Sequence, residues 1–345
     1  MAGPGTVTGM RLLVLGGSDF AGRAVVEAAA GRGWDVTVLN RGRRAVAAPG
    51  VRSLVGDRTA PDGLAALAAD SGEWDAVVDT WSAGPRPVRD AARLLRGRAG
   101  RYVYVSTCSV YAWAPPAGYT EAAPLVEGAD PDADGTDYAR DKLGAELAVT
   151  GAFGAGDSVL VRSGLILGPY ENIGRLPWWL GRIARGGPVL APGPRELPLQ
   201  YVDVRDLAAW ILGSVEGELS GPYNLMSPQG HATMGELLDA CAAVTGSGAE
   251  LRWTDPETVL GAGIEPWTQL PVWTPPGSAE HDALHAADVS RAVAAGLRCR
   301  PAAETVADTW RWLCDTGGVA PQRPDRPPVG LDPEVEAKVL GLGRL

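Results

Sequence analysis

An α/β fold, a doubly wound parallel sheet with a smaller C-terminal domain, is predicted by three features of the N-terminal half. Short apolar runs (RLLVLGG, WDVTVLN, VRSLVGD, WDAVVDT, RYVYVST and DSVLVRS) follow one another from Arg11, each closed by Gly, Asp, Asn, Ser or Thr. They lack polar alternation, as strands covered on both faces do. Segments with apolar residues at helical spacing separate them, and the first run passes through a glycine turn straight into the first helix. Strands alternating with helices build a parallel sheet.

Taken in order, Phe20–Gly33, Gly63–Asp70 and Pro87–Leu95 are the helices of this half, ending near Gly or another turn residue. After Val161 the pattern loosens into RSGLILGPY, a tryptophan-bearing helix over Pro177–Arg185 and the Pro/Gly-rich GGPVLAPGPRELP. In VDVRDLAAWIL, Asp203 or Asp206 caps a further helix, and GPYNLMS reads as a short strand. From Thr233 onward, helices with Gly-marked ends flank a Pro/Trp-rich loop, Trp253–Ser278. PQRPDRPPVG is linker-like. Asp332 and Pro333 open a last short helix as N-cap and first helical residue. The domain reading is 10–162, rejoined by 200–225, then 163–199 with 226–316, and a tail over 317–345.

The turn after the first strand reads Gly16-Gly17-Ser18-Asp19-Phe20-Ala21-Gly22. Strand, glycine turn and helix N-terminus in that order suit a dinucleotide pyrophosphate, because backbone N–H groups and the helix dipole favour the anion and small residues allow close approach. Asp19 stands where many such loops keep glycine, so its carboxylate is expected to point aside. The second strand ends in Asn40-Arg41-Gly42-Arg43-Arg44, with arginines and no carboxylate. A ribose 2′-phosphate suits arginine where a free 2′-hydroxyl suits an acid, so NADP(H) is favoured and NAD(H) stays possible. Asp57, closing the third strand in GDR, is a candidate adenine contact.

Tyr138 and Lys142 are four apart and share a helix face. A phenol with pKa near ~10 needs an adjacent ammonium to serve as acid or base at neutral pH. A hydroxyl to orient the substrate oxygen is available in Ser106-Thr107-Cys108-Ser109, after the apolar run RYVYV. The lysine is notable because Lys142 and Lys338 are the only two in a chain with 31 basic residues.

Net charge −10 and pI about 4.9 argue against a nucleic-acid partner. Four scattered cysteines, with no CxxC pair, suggest neither a disulfide framework nor a zinc site. No apolar stretch approaches the ~18 residues of a membrane span, and the first ten residues lack a signal peptide's pattern, so a cytoplasmic protein is expected. His281 and His285 are four apart but lack a third ligand, so no metal is expected.

Together the glycine turn, YVYVSTCSVY, Y-x-x-x-K, RSGLILGPY and YVDVRDLA make the chain resemble an extended short-chain dehydrogenase/reductase of the NAD-dependent epimerase/dehydratase superfamily, from about Met10 to Asp315. It looks most like a reductase-like group with an NRGR second turn, a GDR third turn and P-W-T-x-L-P-x-W, here PWTQLPVW (Pro266–Trp273). The resemblance implies a Rossmann-like domain and a smaller C-terminal substrate-binding domain. It implies Thr107 as the catalytic hydroxyl, with Ser109 in reserve if the register is shifted, Tyr138 as general acid/base and Lys142 as its activator. By the same resemblance Gly16, Gly17, Ser18, Phe20 and Gly22 line the pyrophosphate, Asn40, Arg41, Arg44 and Asp57 face the adenosine, and Ser163, Gly164 and Leu165 pass the nicotinamide. Ser163 replaces the usual proline. Arg175 and Arg195 stand where relatives hold a substrate diphosphate.

Trp81, Trp113, Trp178 and Trp267 fall on segments expected to reach the cleft at the strand C-termini, where aromatic walls suit a flat substrate or a sugar face. The expected activity is an NADP(H)-dependent oxidoreductase acting on a carbinol or ketone carbon of a small molecule. The alternatives are a nucleotide-sugar epimerase or dehydratase with tightly bound NAD, and a non-catalytic dinucleotide-binding or RNA-associated protein. A homodimer is common in such a family.

Overall fold

The computed structural model describes residues 9–43, 48–323 and 326–342. Seven parallel strands form the main sheet: β1 (Arg11–Leu15), β2 (Asp35–Asn40), β3 (Arg52–Val55), β4 (Trp74–Asp79), β5 (Ala99–Thr107), β6 (Ser158–Ser163) and, after four short strands outside it, β11 (Gly221–Leu225). Their spatial order is β11-β6-β5-β4-β1-β2-β3. β1 pairs with both β2 and β4, in register Val14↔Val38 and Val14↔Val78. The chain therefore leaves β1 in one direction and returns on its other side, which opens a crevice at the C-terminal ends of β1 and β4.

Alternate residues of β1 enter different layers. Leu12 and Val14 pack with α1 (Phe20–Gly31) and α6 (Val204–Glu216), while Leu13 and Leu15 pack with α2 (Ala65–Ala69), α3 (Arg86–Leu95) and α4 (Tyr138–Phe153). All four side chains are fully buried, and this two-sided burial explains the absence of polar alternation.

A second apolar core gathers β7 (Leu165–Leu167), α5 (Arg175–Ala184), β8 (Pro188–Pro192), β9 (Pro198–Leu199), β10 (Tyr201–Asp203), β12 (Ala232–Thr233), α7 (Met234–Thr245), α8 (Pro256–Gly261) and α11 (Ala302–Asp315), with Trp179 and Trp273 as its largest members. β13 (Glu250–Thr254) pairs with β8, and α9 (Ala279–His285) and α10 (Ser290–Ala294) follow. The stretch expected as one loop from Trp253 thus begins with the end of β13 and α8, where Asp255 accepts from Thr258 N (2.8 Å) as N-cap and Pro256 follows. Only its later part is irregular.

The Pro/Arg-rich run near the C-terminus is not a detached linker. Leu331 is buried in the second core, and α12 (Pro333–Val339) docks through Glu336, whose carboxylate accepts from Arg182 Nε (2.6 Å) and Leu190 N (3.0 Å). Composition hides this because a proline-rich segment makes few hydrogen bonds of its own but still packs apolar surface.

Candidate active site

Space at the turn after β1 is tightly rationed. Gly16 has φ +100°, and a Cβ on Gly22 would lie 2.1 Å from the Gly16 carbonyl oxygen, so α1 starts directly on the loop backbone. A Cβ on Gly17 would meet Val26 and Val38 at 2.7 and 2.8 Å. Ser18 and Phe20 are half-buried beside them. Asp19 caps α1: its carboxylate accepts from Phe20 N (3.2 Å) and from Asn172 Nδ2 (2.9 Å), which ties it to the loop after β7.

At the end of β2, Asn40 is buried, and its Oδ1 accepts from Gly42 N (2.9 Å). Its Nδ2 is buried with no partner. Arg41 and Arg43 are exposed, and Arg44 lies outside the described residues. Asp57 Oδ1 accepts from the Thr59 hydroxyl (2.7 Å) and N–H (3.1 Å); these bonds, then Arg41 and Arg43, hold its carboxyl below the usual range. Sequence reasoning passed over the cluster beneath. Arg58 pairs in bidentate fashion with Asp79 (2.7 and 2.8 Å), and Asp79 also accepts from Tyr102 OH (2.6 Å). The signal available was a carboxylate closing the apolar run WDAVVD.

α4 begins at Tyr138, capped by Asp137, which accepts from Arg140 N (3.1 Å). Lys142, one turn on, is 2% exposed; its Nζ donates to Val105 O (2.6 Å) and Trp81 O (2.8 Å) and lies 4.1 Å from the Tyr104 ring centroid. The ammonium thus ties the β5 end to the residues following β4. Tyr138 is 36% exposed, with the Arg326 guanidinium 4.8 Å from its ring centroid. No hydrogen bond joins Tyr138 to Lys142, so the shared helix face brings the residues together without pairing their polar atoms. Thr107 ends β5, and its Oγ1 accepts from Ser109 N and donates to Ser109 Oγ, both at 3.2 Å. Ser106 is spent on Glu146 (2.5 Å), and burial pushes the Cys108 thiol up to about 12. Thr107 and Ser109 are left as the hydroxyl pair.

Burial pushes the Lys142 amine from 10.5 down to about 7, against the pull of Asp79 and Glu146. Between those values the unfolded chain binds more protons than the folded one, so this group's contribution to stability is present at high pH and is lost as pH falls through about 7. Urea midpoints of the wild type should therefore climb relative to those of Lys142→Met from about pH 7 to about pH 9. Parallel midpoints would contradict the burial effect.

The sequence matches the NAD dependent epimerase/dehydratase family over residues 12–225. The chain belongs to that family. It is an NAD(P)-dependent enzyme of the extended short-chain dehydrogenase/reductase type, and its fold is that of solved epimerase structures. Bordetella bronchiseptica WbmH in complex with NAD+ superposes with TM-score 0.68 at 19% identity, over 90% of this chain and 99% of that one. WbmG of the same organism, in complex with NAD and UDP, gives 0.66 at 18% identity over 90% and 97%, and a UDP-galactose 4-epimerase gives 0.61 at 18% over 89% and 100%. No curated protein matches the sequence.

The residues present fit the dinucleotide that this epimerase/dehydratase family uses. The glycine turn lets the N-terminus of α1 sit directly on the loop backbone, and the orphaned Asn40 Nδ2 is a buried donor at the end of β2. Ser163 ends β6 buried, a Cβ on Gly164 would press on the Met226 side chain (3.0 Å), and Leu165 opens β7.

The proposed substrate residues separate. Arg195 pairs with Asp239 of α7 in an exposed ion pair. Trp178 stacks edge-on against Trp179 and is covered by Gly330, where a Cβ would come within 2.1 Å of its Nε1. It therefore packs the C-terminal segment. Trp81 is half-buried, donating through Nε1 to Gly84 O (2.8 Å), and Trp113 is 68% exposed after β5. Trp267 lies 5.0 Å from the Arg175 guanidinium, whose Nε is buried without a partner.

His285 accepts from Gln200 N at Nδ1 (3.1 Å), so its Nε2–H faces Val272 O (3.1 Å); burial holds it neutral, with a pKa of about 4. Among the described residues no group of three or more His, Cys, Asp or Glu is placed to hold a metal, and no helix is long and apolar enough to cross a membrane.

Proposed function

We propose that this enzyme is an NADP(H)-dependent oxidoreductase of a small molecule that carries a carbinol or ketone. The observation that carries the coenzyme choice is the end of β2: an amide, Asn40, with an unpartnered buried donor, followed by exposed Arg41 and Arg43, where a carboxylate would repel a 2′-phosphate. When bound, the nicotinamide supplies or accepts hydride. Tyr138 exchanges a proton with the substrate oxygen. Lys142, which donates to two strand-end carbonyls, stabilises the phenolate when it carries its proton. The Thr107–Ser109 pair presents a free hydroxyl proton to the same oxygen.

Fluorescence titration should give an NADPH dissociation constant at least about tenfold below that of NADH, and Arg41→Ala should erase most of that gap. Equal affinities would sink the NADP(H) reading. A nucleotide-sugar epimerase with retained NAD is the second reading. It is favoured by the unpartnered Arg175 Nε and by the likeness to WbmG, which was solved with NAD and UDP. Net NADPH consumption with turnover supports the reductase, and turnover without net coenzyme change supports the epimerase.

A further inference from the structure

Just past the end of β4, every polar atom of one residue is engaged. Trp81 N donates to Asp79 Oδ1 (3.0 Å), the Trp81 carbonyl accepts from Lys142 Nζ (2.8 Å) and Tyr104 OH (3.1 Å), and the indole Nε1 donates to Gly84 O (2.8 Å). The Arg58 guanidinium lies 4.9 Å from the centroid of the same indole. Asp79 is saturated in turn: Oδ1 also accepts from Arg58 Nη2 (2.7 Å), and Oδ2 accepts from Arg58 Nη1 (2.8 Å) and Tyr102 OH (2.6 Å). Carboxylate and guanidinium are both buried. A chain of hydrogen bonds thus leads from Arg58, beyond β3, through Asp79 and the single residue Trp81 to the lysine amine on α4.

An ion pair buried this deeply adds little stability over apolar side chains of equal volume, because desolvating the charges offsets their attraction. It does supply placement, since any movement of Trp81 would break bonds on both of its sides. The charged and titratable groups that face the amine are Asp79 at the end of β4, Arg58 beyond β3, Tyr104 on β5, and Tyr138 and Glu146 on its own helix. Glu146 carries Arg162 of β6 as its partner (2.8 and 3.1 Å), and Arg86 and Arg89 of α3, the helix packed on α4, pair with Asp134 and Asp132. Among the charges, Asp79 acts on the amine most strongly, ahead of Glu146 and Arg58.

We propose that Asp79 and Arg58 are positioning residues for Lys142: through Trp81 they fix the amine at the end of β5 and place a carboxylate across a single residue from it. The consequence for turnover rests on the role given to Lys142 above. An amine that has lost its proton cannot stabilise a phenolate, so a carboxylate held in this place extends the pH range in which Lys142 can serve Tyr138.

The chain has only two lysines, Lys142 and the exposed Lys338, so the test is direct. Full-length protein labelled with 13Cε-lysine gives two titrating signals by NMR; Lys142→Met assigns one, and Lys338 is the internal reference. Asp79→Asn keeps the shape and removes the charge, and it should raise the acid dissociation constant of Lys142 at least about tenfold, moving its midpoint down. A merely structural role predicts the opposite direction, because loosening admits water and moves the midpoint up towards 10.5. Asp75→Asn, at the exposed start of the same strand, should leave the midpoint within about twofold of wild type. Asp79→Asn leaves Arg58 buried and unpaired, so Arg58→Met/Asp79→Asn, which removes both charges, is read beside it and decides if the single variant does not fold. The double variant should fall between wild type and Asp79→Asn. A midpoint at or above that of wild type in Asp79→Asn, or in the double variant where it decides, would overturn the proposal. The titration uses neither coenzyme nor substrate, so failure of NADPH to bind would remove the coenzyme reading and leave this result standing.

Discussion

Tyr138→Phe is expected to lower turnover by about 10²–10⁴-fold while leaving coenzyme affinity within about twofold. The substitution keeps the ring, and so keeps its contact with Arg326, and removes only the hydroxyl whose proton is proposed to pass to the substrate. At 36% exposure the phenol is within reach of a ligand in the cleft, unlike Tyr102 and Tyr104, which are fully buried. Coupled measurements of NADPH oxidation against carbonyl compounds with and without an acidic group, together with coenzyme titration of the same samples, check both halves. Turnover within about tenfold of wild type would remove Tyr138 from the chemistry.

Gly22→Ala should cost the coenzyme at least about 100-fold in affinity and the fold about 1–3 kcal/mol. Its new Cβ would sit 2.1 Å from the Gly16 carbonyl oxygen, and Gly16 is itself held by a bond from its N–H to Leu39 O (3.0 Å). Backbone on both sides must shift, and the helix N-terminus proposed to meet the pyrophosphate shifts with it. Gly31→Ala, at the other end of α1 with nothing within 4 Å of the new Cβ, is the control and should be neutral or mildly stabilising. If Gly22→Ala bound NADPH within about threefold of wild type, the turn would not be the pyrophosphate site.

The strands of the large sheet, the glycine turn and the helix bearing Tyr138 and Lys142 were legible because each rests on local rules: the spacing of apolar residues, the space a Cβ occupies, and the rise of a helix. What the polar groups touch was not legible. Lys142 reads as Tyr138's partner by spacing, yet its protons go to carbonyls 37 and 61 residues away. Arg195 reads like Arg175, and only the approach of Asp239 distinguishes them.

By itself, then, the sequence determined a dinucleotide-type sheet of this family and named Tyr138, Lys142 and the Thr107 region. Only the tertiary structure decided that Asp79 holds Arg58, that Thr107 pairs with Ser109 while Ser106 goes to Glu146, and that a proline-rich tail returns to set Arg326 over Tyr138. The physical reason is distance along the chain. Backbone conformation follows from neighbours a few residues away, whereas the partner of a charge is whichever group the topology brings within a few ångströms, and nothing in the local pattern encodes that.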